Sequence, residues 1–273
     1  MQLFLGTPGE IVASSWRNKH LIKELIRREV VGRYRGASLG LVWSFLNPLF
    51  LLAIYTFVFS FVFKARWGSA NDESKTEFAL VLFAGLIVFG LFSECISRAP
   101  GLVLANANYV KKVVFPLEIL PLVAFGSAVF HALISSVVWL SAYIVFYGWP
   151  HLTILWLPIV LLPLAFYTLG FSWLLASLGV FLRDISQFIG TVMTALMFLS
   201  PIFYPANSLP EPYRAAMYGN PLTSAIEQAR NVMYWGKSPD VWEFAINLFF
   251  GAVIAYLGFA WFQKTRKGFA DVV

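Results

Sequence analysis

Six apolar runs, each of roughly 20 residues or more, decide most of what this chain can become. They lie at residues 38–63, 78–96, 119–147, 152–182, 185–203 and 241–262. A hydrocarbon core about 30 Å thick is crossed by roughly 20 helical residues, and inside it every backbone amide must be bonded within the chain. The runs are continuous and do not alternate in ten-residue strands, so they read as helices and not as barrel strands. Charged residues make up only 12% of the sequence, about half of what a soluble domain carries. The expected fold is all-α and integral to a membrane, with six transmembrane helices. The fourth run is over-long and contains Pro158 and Pro163, so a kink or tilt is expected there. The third is expected to begin with a break at Pro121.

The polar segments between the runs set the orientation. With both termini cytoplasmic, 14 of the 20 lysines and arginines fall inside, while the acidic residues divide evenly. That is the bias of the positive-inside rule, which counts basic residues alone. The net charge of +6 is thereby explained by topology, and a nucleic-acid partner is not required. The start lacks the basic region and apolar core of a cleavable signal. Cys95 is the single cysteine and lies in an apolar run, so it can form no intrachain disulfide. The chain divides into a cytoplasmic lead with an amphipathic helix (residues 1–36), a membrane domain (37–263) and a cytoplasmic tail (264–273).

Residues 1–15 read as a weakly structured lead. Over residues 16–35, Leu21, Ile22, Leu25, Ile26 and Val30 share one helical face, and Lys19, His20, Lys23, Glu24, Arg27 and Arg28 share the other. This is the pattern of a helix lying in the membrane interface, although a solvated helix face has the same pattern. Glu29 interrupts the apolar face, with Arg33 four residues on to pair with it. Gly32, Gly36 and Gly40 suit a small-residue packing face or, better, a bend from the interface into the membrane.

The stretch NANYVKKVVFPLEILP (residues 106–121) is a short basic loop between two spans. Pro116 and Pro121 stiffen it, since each fixes φ and removes a donor. The last external segment, residues 204–240, is half apolar. Leu222, Ile226, Ala229 and Met233 form a helical stripe in it, with Glu227 and Arg230 off that stripe. Short re-entrant or interfacial helices are expected there, forming an external plug or gate.

Little in the sequence can do covalent chemistry. Gly236-Lys237-Ser238 suggests a phosphate loop, but position 231 is Asn and Pro239 follows where a helix should run. His20, His131 and His151 lack metal-ligand spacing, and His131 reads as a packed histidine of the third span. Asp72 and Glu73 sit in a mixed-charge loop. Glu94 lies near the inner end of the second span, four residues before Arg98. No catalytic, cofactor or metal residues are expected. Two polar stripes remain: Trp43, Asn47 and Tyr55 in the first span, and Gln187, Thr191, Thr194 and Phe198 in the fifth. Aromatics and hydroxyls suit a carbohydrate path, and the same groups equally suit polar packing between helices.

Three motifs carry a resemblance: RYRGASLGLVWSFLNPL (residues 33–49), NANYVKKVVFPLEILP (106–121) and LRDISQFIG…SPIFYP (182–205). Together they resemble the membrane subunit of bacterial ABC exporters of cell-surface polysaccharides, which include O-antigen, capsule and teichoic acid exporters. The resemblance implies a homodimer in the inner membrane, with a channel between the copies. It also implies two copies of a separate ATPase subunit, which would carry the ATP and magnesium. The cargo would be an undecaprenyl-diphosphate-linked polysaccharide. Asn106, Asn108, Tyr109, Lys111, Lys112 and Pro116 would couple to the ATPase. Arg33, Arg35, Leu39 and Gly40 would lie where the lipid diphosphate is admitted. Trp43, Asn47, Tyr55, Gln187, Thr191, Thr194 and Phe198 would line the channel, and Phe203, Tyr204, Tyr213 and Tyr218 would form the exit gate. The rival readings are an ABC exporter of a small hydrophobic drug or lipid, and a membrane-embedded enzyme of envelope synthesis.

Overall fold

The computed structural model describes residues 6–62, 67, 75–110, 115–182 and 184–272, and among them every regular element is helical. The chain begins with α1 (Pro8–Arg17) and α2 (Lys19–Arg33). The expected lead is thus partly a helix. Pro8 suits the first turn of α1, where its missing N–H is no loss, and Arg17 reaches back 2.9 Å to Glu10. Ser14, on the inner face of α1, is buried and donates to Glu118 at 2.8 Å.

α2 lays its apolar face on the bundle. Leu25 packs on Ile119 and Val123, flanked by Ile22 and Ile26. The bend after α2 is made by Gly36 (φ +90°) and Gly40 (φ +50°), conformations that favour glycine. Neither they nor Gly32 are approached within 4 Å by another described residue at the Cβ position. Gly36 and Gly40 therefore turn the chain, and none of the three packs against another described residue.

The spans follow: α3 (Trp43–Tyr55), continued by a π-helical stretch at Thr56–Val62; α4 (Lys75–Arg98); and, after the short α5 (Ala107–Val110), α6 (Leu120–Tyr147). Next come α7 (Leu157–Val160), α8 (Leu162–Phe181) and α9 (Ile185–Leu199). The segment after α9 forms α10 (Glu211–Tyr218) and α11 (Pro221–Met233), and α12 (Val241–Thr265) and α13 (Phe269–Val272) complete the chain. Among the described residues, five stretches are long and apolar enough to cross a membrane. α9 is apolar but has 15 residues, about 22 Å of helix. The prolines break the fourth run as expected: Pro158 and Pro163 each open a helix, α7 and α8, with the break at Leu161.

α4 is the centre of the bundle. It is apolar all round, as a helix surrounded by others must be, and Leu80, Val81, Leu82, Ala84 and Val88 are buried. α3, α6, α8, α9 and α11 pack around it. α12 packs closely along α8. A Cβ on Gly258 would strike the Gly170 carbonyl, and a Cβ on Gly170 would strike the Ile254 carbonyl. Small residues let membrane helices come this close, where van der Waals contact is the main attraction. The outer faces, such as Phe45, Leu49, Phe50 and Ile54 of α3, are exposed apolar surface, suited to lipid.

α11 fulfils its stripe. Leu222, Ile226, Ala229 and Met233 are all buried, and the Asn220 side chain caps the helix by accepting from the Leu222 N–H at 3.0 Å. The surprise is Arg230. It is fully buried and donates to the carbonyls of Val81 (3.0 Å), Pro201 (2.5 Å) and Ile202 (2.9 Å). Its guanidinium also lies 4.2 Å from the Trp67 ring centroid. Gly85 leaves the room, since a Cβ there would stand 2.7 Å from Arg230 Nη2.

Candidate functional site

A cavity of about 320 Å³ opens between α3, α4 and α6, with the end of α2 at its mouth. Its walls along α4 are apolar: Phe83, Leu86, Ile87 and Phe89. α3 contributes Ser44, Asn47, Pro48 and Tyr55. Pro48 stands inside the helix and has no N–H to give the Ser44 carbonyl, so the helical ladder loses one bond on this face.

The polar end of the cavity is an ionic cluster contributed by three helices. Glu94 of α4 accepts from Arg33 of α2, and both its oxygens lie 3.0 Å from His131 Nδ1 on α6. Arg33 Nη1 also lies 3.2 Å from His131 Nδ1, so that nitrogen sits between a carboxylate and a guanidinium. Arg98 Nη1 is 3.7 Å from Glu94, and Arg98 Nη2 is 2.6 Å from Glu29 of α2. The expected Glu29–Arg33 pair is therefore not made. Each takes a partner on α4 instead, because α2 packs its Glu29 side inward. The expected Glu94–Arg98 neighbourhood is present. Tyr34 sets its ring edge-on to His131 at 6.1 Å, and burial raises its phenol above the usual range, which leaves it a neutral donor.

At the far end, Tyr55 lies 6.2 Å from Phe59, and Phe59 stacks on Phe203 at 5.8 Å, which in turn stacks on Phe198 at 5.6 Å. The Tyr204 hydroxyl donates to the Phe198 carbonyl at 2.7 Å. A track of aromatic rings thus joins the cavity to the turn that Arg230 holds. Burial pulls the Arg230 guanidinium down to about 9, so it remains charged at neutral pH.

The residues singled out in the sequence fall into separate places. Arg33, Asn47 and Tyr55 line the cavity, and Trp43 is half-buried beside it. Arg35, Leu39 and Gly40 belong to the bend, with Arg35 and Leu39 exposed. Gln187, Thr191, Thr194 and Phe198 form an exposed stripe on α9, opposite Ile189 and Met193, which pack inward. The Thr191 and Thr194 hydroxyls bond back to the Gln187 and Gly190 carbonyls of their own helix. Phe203 and Tyr204 meet as described, Tyr218 is exposed, and the Tyr213 side chain lies outside the described residues.

In the loop, the Asn106 side chain donates to the Leu102 carbonyl at 2.8 Å, and Asn108 is exposed. Tyr109 stacks on Phe115 at 4.1 Å and accepts from Arg28 at 2.8 Å. Lys111 and Lys112 lie outside the described residues. Pro116 leads into a 3-10 turn at Leu117–Ile119. Beyond it stands a network that no sequence spacing announces. Buried Glu118 pairs with Arg266 at 2.5 Å, and Arg266 also donates to the Phe115 carbonyl at 2.6 Å. Arg266 lies 148 residues from Glu118 and 151 from Phe115, so only the fold brings them together. Among the described residues no group of three metal-ligating side chains assembles.

The family model described as ABC-2 type transporter matches residues 20–234. The chain belongs to the ABC-2 type transporter family. It is a multi-pass permease of the bacterial inner membrane, related to the permeases of O-antigen and capsule export systems. This permease is 27% identical to the O-antigen export system permease protein RfbA of Klebsiella pneumoniae, over 93% of this chain and 95% of the relative. It is 24% identical to the protein of the same name from Myxococcus xanthus, over 96% and 99%. It is 23% identical to the polysialic acid transport protein KpsM of Escherichia coli, over 91% and 94%.

Proposed function

We propose that this permease is the channel-forming subunit of an ATP-driven exporter that moves an undecaprenyl-diphosphate-linked polysaccharide, O-antigen-like, out of the cytoplasm. The observation that carries the reading is the full-length likeness to permeases named for O-antigen, polysialic acid and capsule export. In this reading six spans cross the membrane, α9 included, with both termini cytoplasmic. Two copies enclose the channel, and two ATPase subunits bind ATP and magnesium below it.

The size of the cavity supports a channel between copies. Pockets of roughly 300–1,000 Å³ suit single small ligands, and about 320 Å³ in one chain suits a headgroup and not a polymer. The exposed stripe of Gln187, Thr191, Thr194 and Phe198 would then face the channel. Arg33 and Arg35 would meet the lipid diphosphate, for which a guanidinium fork is apt. Asn106, Asn108, Tyr109, Lys111, Lys112 and Pro116 would receive the ATPase stroke. Phe203, Tyr204, Tyr213 and Tyr218 would gate the outer end.

Deletion of the gene, followed by analysis of glycan on both sides of the membrane, tests this. Finished lipid-linked polymer should accumulate inside while surface glycan disappears. Normal surface glycan, or the loss of polymer in both places, would reject an export role.

A further inference from the structure

Glu94 occupies the position on Arg33 that an anionic ligand of the cavity would need. Arg33 ends α2 with its side chain half exposed, while the Glu94 side chain is only 18% exposed. Arg33 therefore faces the cavity mouth, and Glu94 holds it from within. Glu94 has a second cation in reach: Arg98, one helical turn further along α4, at 3.7 Å. Arg98 in turn makes its closer ion pair, 2.6 Å, with Glu29 on α2. The four groups alternate in sign, and both outer members belong to α2. Two ion pairs thus pin α2 to α4, and the inner member of each stands beside the other.

Driving Glu94 off Arg33 into an apolar cavity would leave an unpaired buried charge, which is costly. Arg98 removes that cost. A group carrying more than one negative charge competes well with a single carboxylate for a guanidinium. Once Glu94 moves to Arg98, Glu29 must share that cation, so the second link of α2 weakens with the first. His131 is held within the same shell, and its Nε2 is buried without a partner among the described residues. Its Nδ1 lies within 3.2 Å of both Arg33 and Glu94, next to the place the incoming oxygens would take.

We propose that Arg33, Glu94, His131 and Arg98 form an exchange latch. The diphosphate of the cargo lipid displaces Glu94 from Arg33, Glu94 passes to Arg98, and α2 is loosened from α4. This rests on the reading that the cargo is a lipid diphosphate. It adds a consequence: α2 also carries Arg28, which holds Tyr109 of the 106–116 loop. Arrival of cargo in the cavity is then felt at the surface offered to the ATPase, before any polymer has moved.

The test uses the permease with its ATPase in lipid nanodiscs and measures binding of undecaprenyl diphosphate, with inorganic pyrophosphate as a separate arm. Glu94→Gln removes the competing charge and should tighten binding of the lipid about tenfold, the scale of one charge-assisted contact. Arg98→Gln removes the place Glu94 moves to and should weaken binding by a similar factor. Arg33→Gln should abolish it. Spin labels at Lys23 of α2 and Ser97 of α4, both exposed, in a Cys95→Ala background, should separate when the lipid is added. If Arg33→Gln loses binding but Glu94→Gln matches the wild type, the latch is overturned and the diphosphate reading stands. Full binding by Arg33→Gln overturns the diphosphate reading itself. Should Glu94→Gln fail to assemble, wild-type affinity in Arg98→Gln overturns the latch. Pyrophosphate binding as tightly as the lipid would make this a free-phosphate site and overturn the link to cargo.

Discussion

Replacing Arg230 by methionine keeps most of the side chain's volume and removes all of its donors. Three carbonyls lose a charged partner. Val81 lies inside α4, where its carbonyl also has a helical donor within reach, so its loss is the smallest. Pro201 and Ile202 lie in the turn between α9 and α10 and have no helix to fall back on. An orphaned buried acceptor costs about 1–3 kcal/mol, so the two together cost about 2–6 kcal/mol. Methionine returns part of this by ending the desolvation of a buried charge, which leaves about 3 kcal/mol of net destabilisation. For a chain of this size that is a fall in melting temperature of about 6–12 °C. The measurement is thermal unfolding of the purified permease, followed by the loss of its monodisperse peak on size exclusion. Gly85→Ala pushes on the same guanidinium from α4 and should shift melting in the same direction by a smaller amount. The two changes should be less than additive, because they damage one site. A methionine variant that melts with the wild type would refute the assignment of Arg230 as the tie between α11, α4 and the turn after α9.

Gly258→Leu should be the most damaging single change along α12, because its side chain meets the Gly170 backbone and not a movable side chain. Loss of folded protein from the membrane fraction, checked against Leu257→Ala on the exposed face, measures this. Thr191→Leu with Thr194→Leu changes an exposed face whose hydroxyls bond only their own helix. Yield and melting should hold within about 0.5 kcal/mol, while export of surface glycan falls. Unchanged export would remove α9 from the channel.

How much was legible in the sequence depended on the distance between partners. Five of the six expected spans were readable because apolar length alone decides them, and the stripe Leu222–Ile226–Ala229–Met233 because helical spacing is local. The same spacing set Arg230 off the apolar stripe and gave no sign of its burial. Its partners are carbonyls on α4 and on the turn after α9, and carbonyls carry no sequence signature. Glu29 shows the same failure at shorter range: the i,i+4 rule offered Arg33, yet the packing of α2 gave it Arg98. α1 was missed because ten residues of mixed polarity are marginal as an isolated helix. Burial of Ser14 against Glu118 supplies what local propensity lacks. The α8–α12 seam was overlooked because its glycines lie in different runs, while Gly32, Gly36 and Gly40 drew notice by their regular interval.

α2 touches both ends of the proposed transport cycle, and the contact of Arg28 with Tyr109 can be isolated from the others. Tyr109→Phe deletes one hydroxyl and keeps the ring stacked on Phe115. The Arg28 bond is solvent-exposed, so its loss should change stability by less than about 1 kcal/mol. Its effect on function should be larger if α2 and the loop move as a unit. ATP hydrolysed per unit of glycan exported, measured with the partner ATPase in vesicles, should rise in Tyr109→Phe and in Arg28→Gln. The double variant should be no worse than either single one, since both remove the same contact. Additive losses would mean that the two residues act separately, each on its own partner. An unchanged ratio in all three would show that the loop transmits motion without α2, and the ion pairs of Glu29 and Arg33 would then serve only to hold the helix in place.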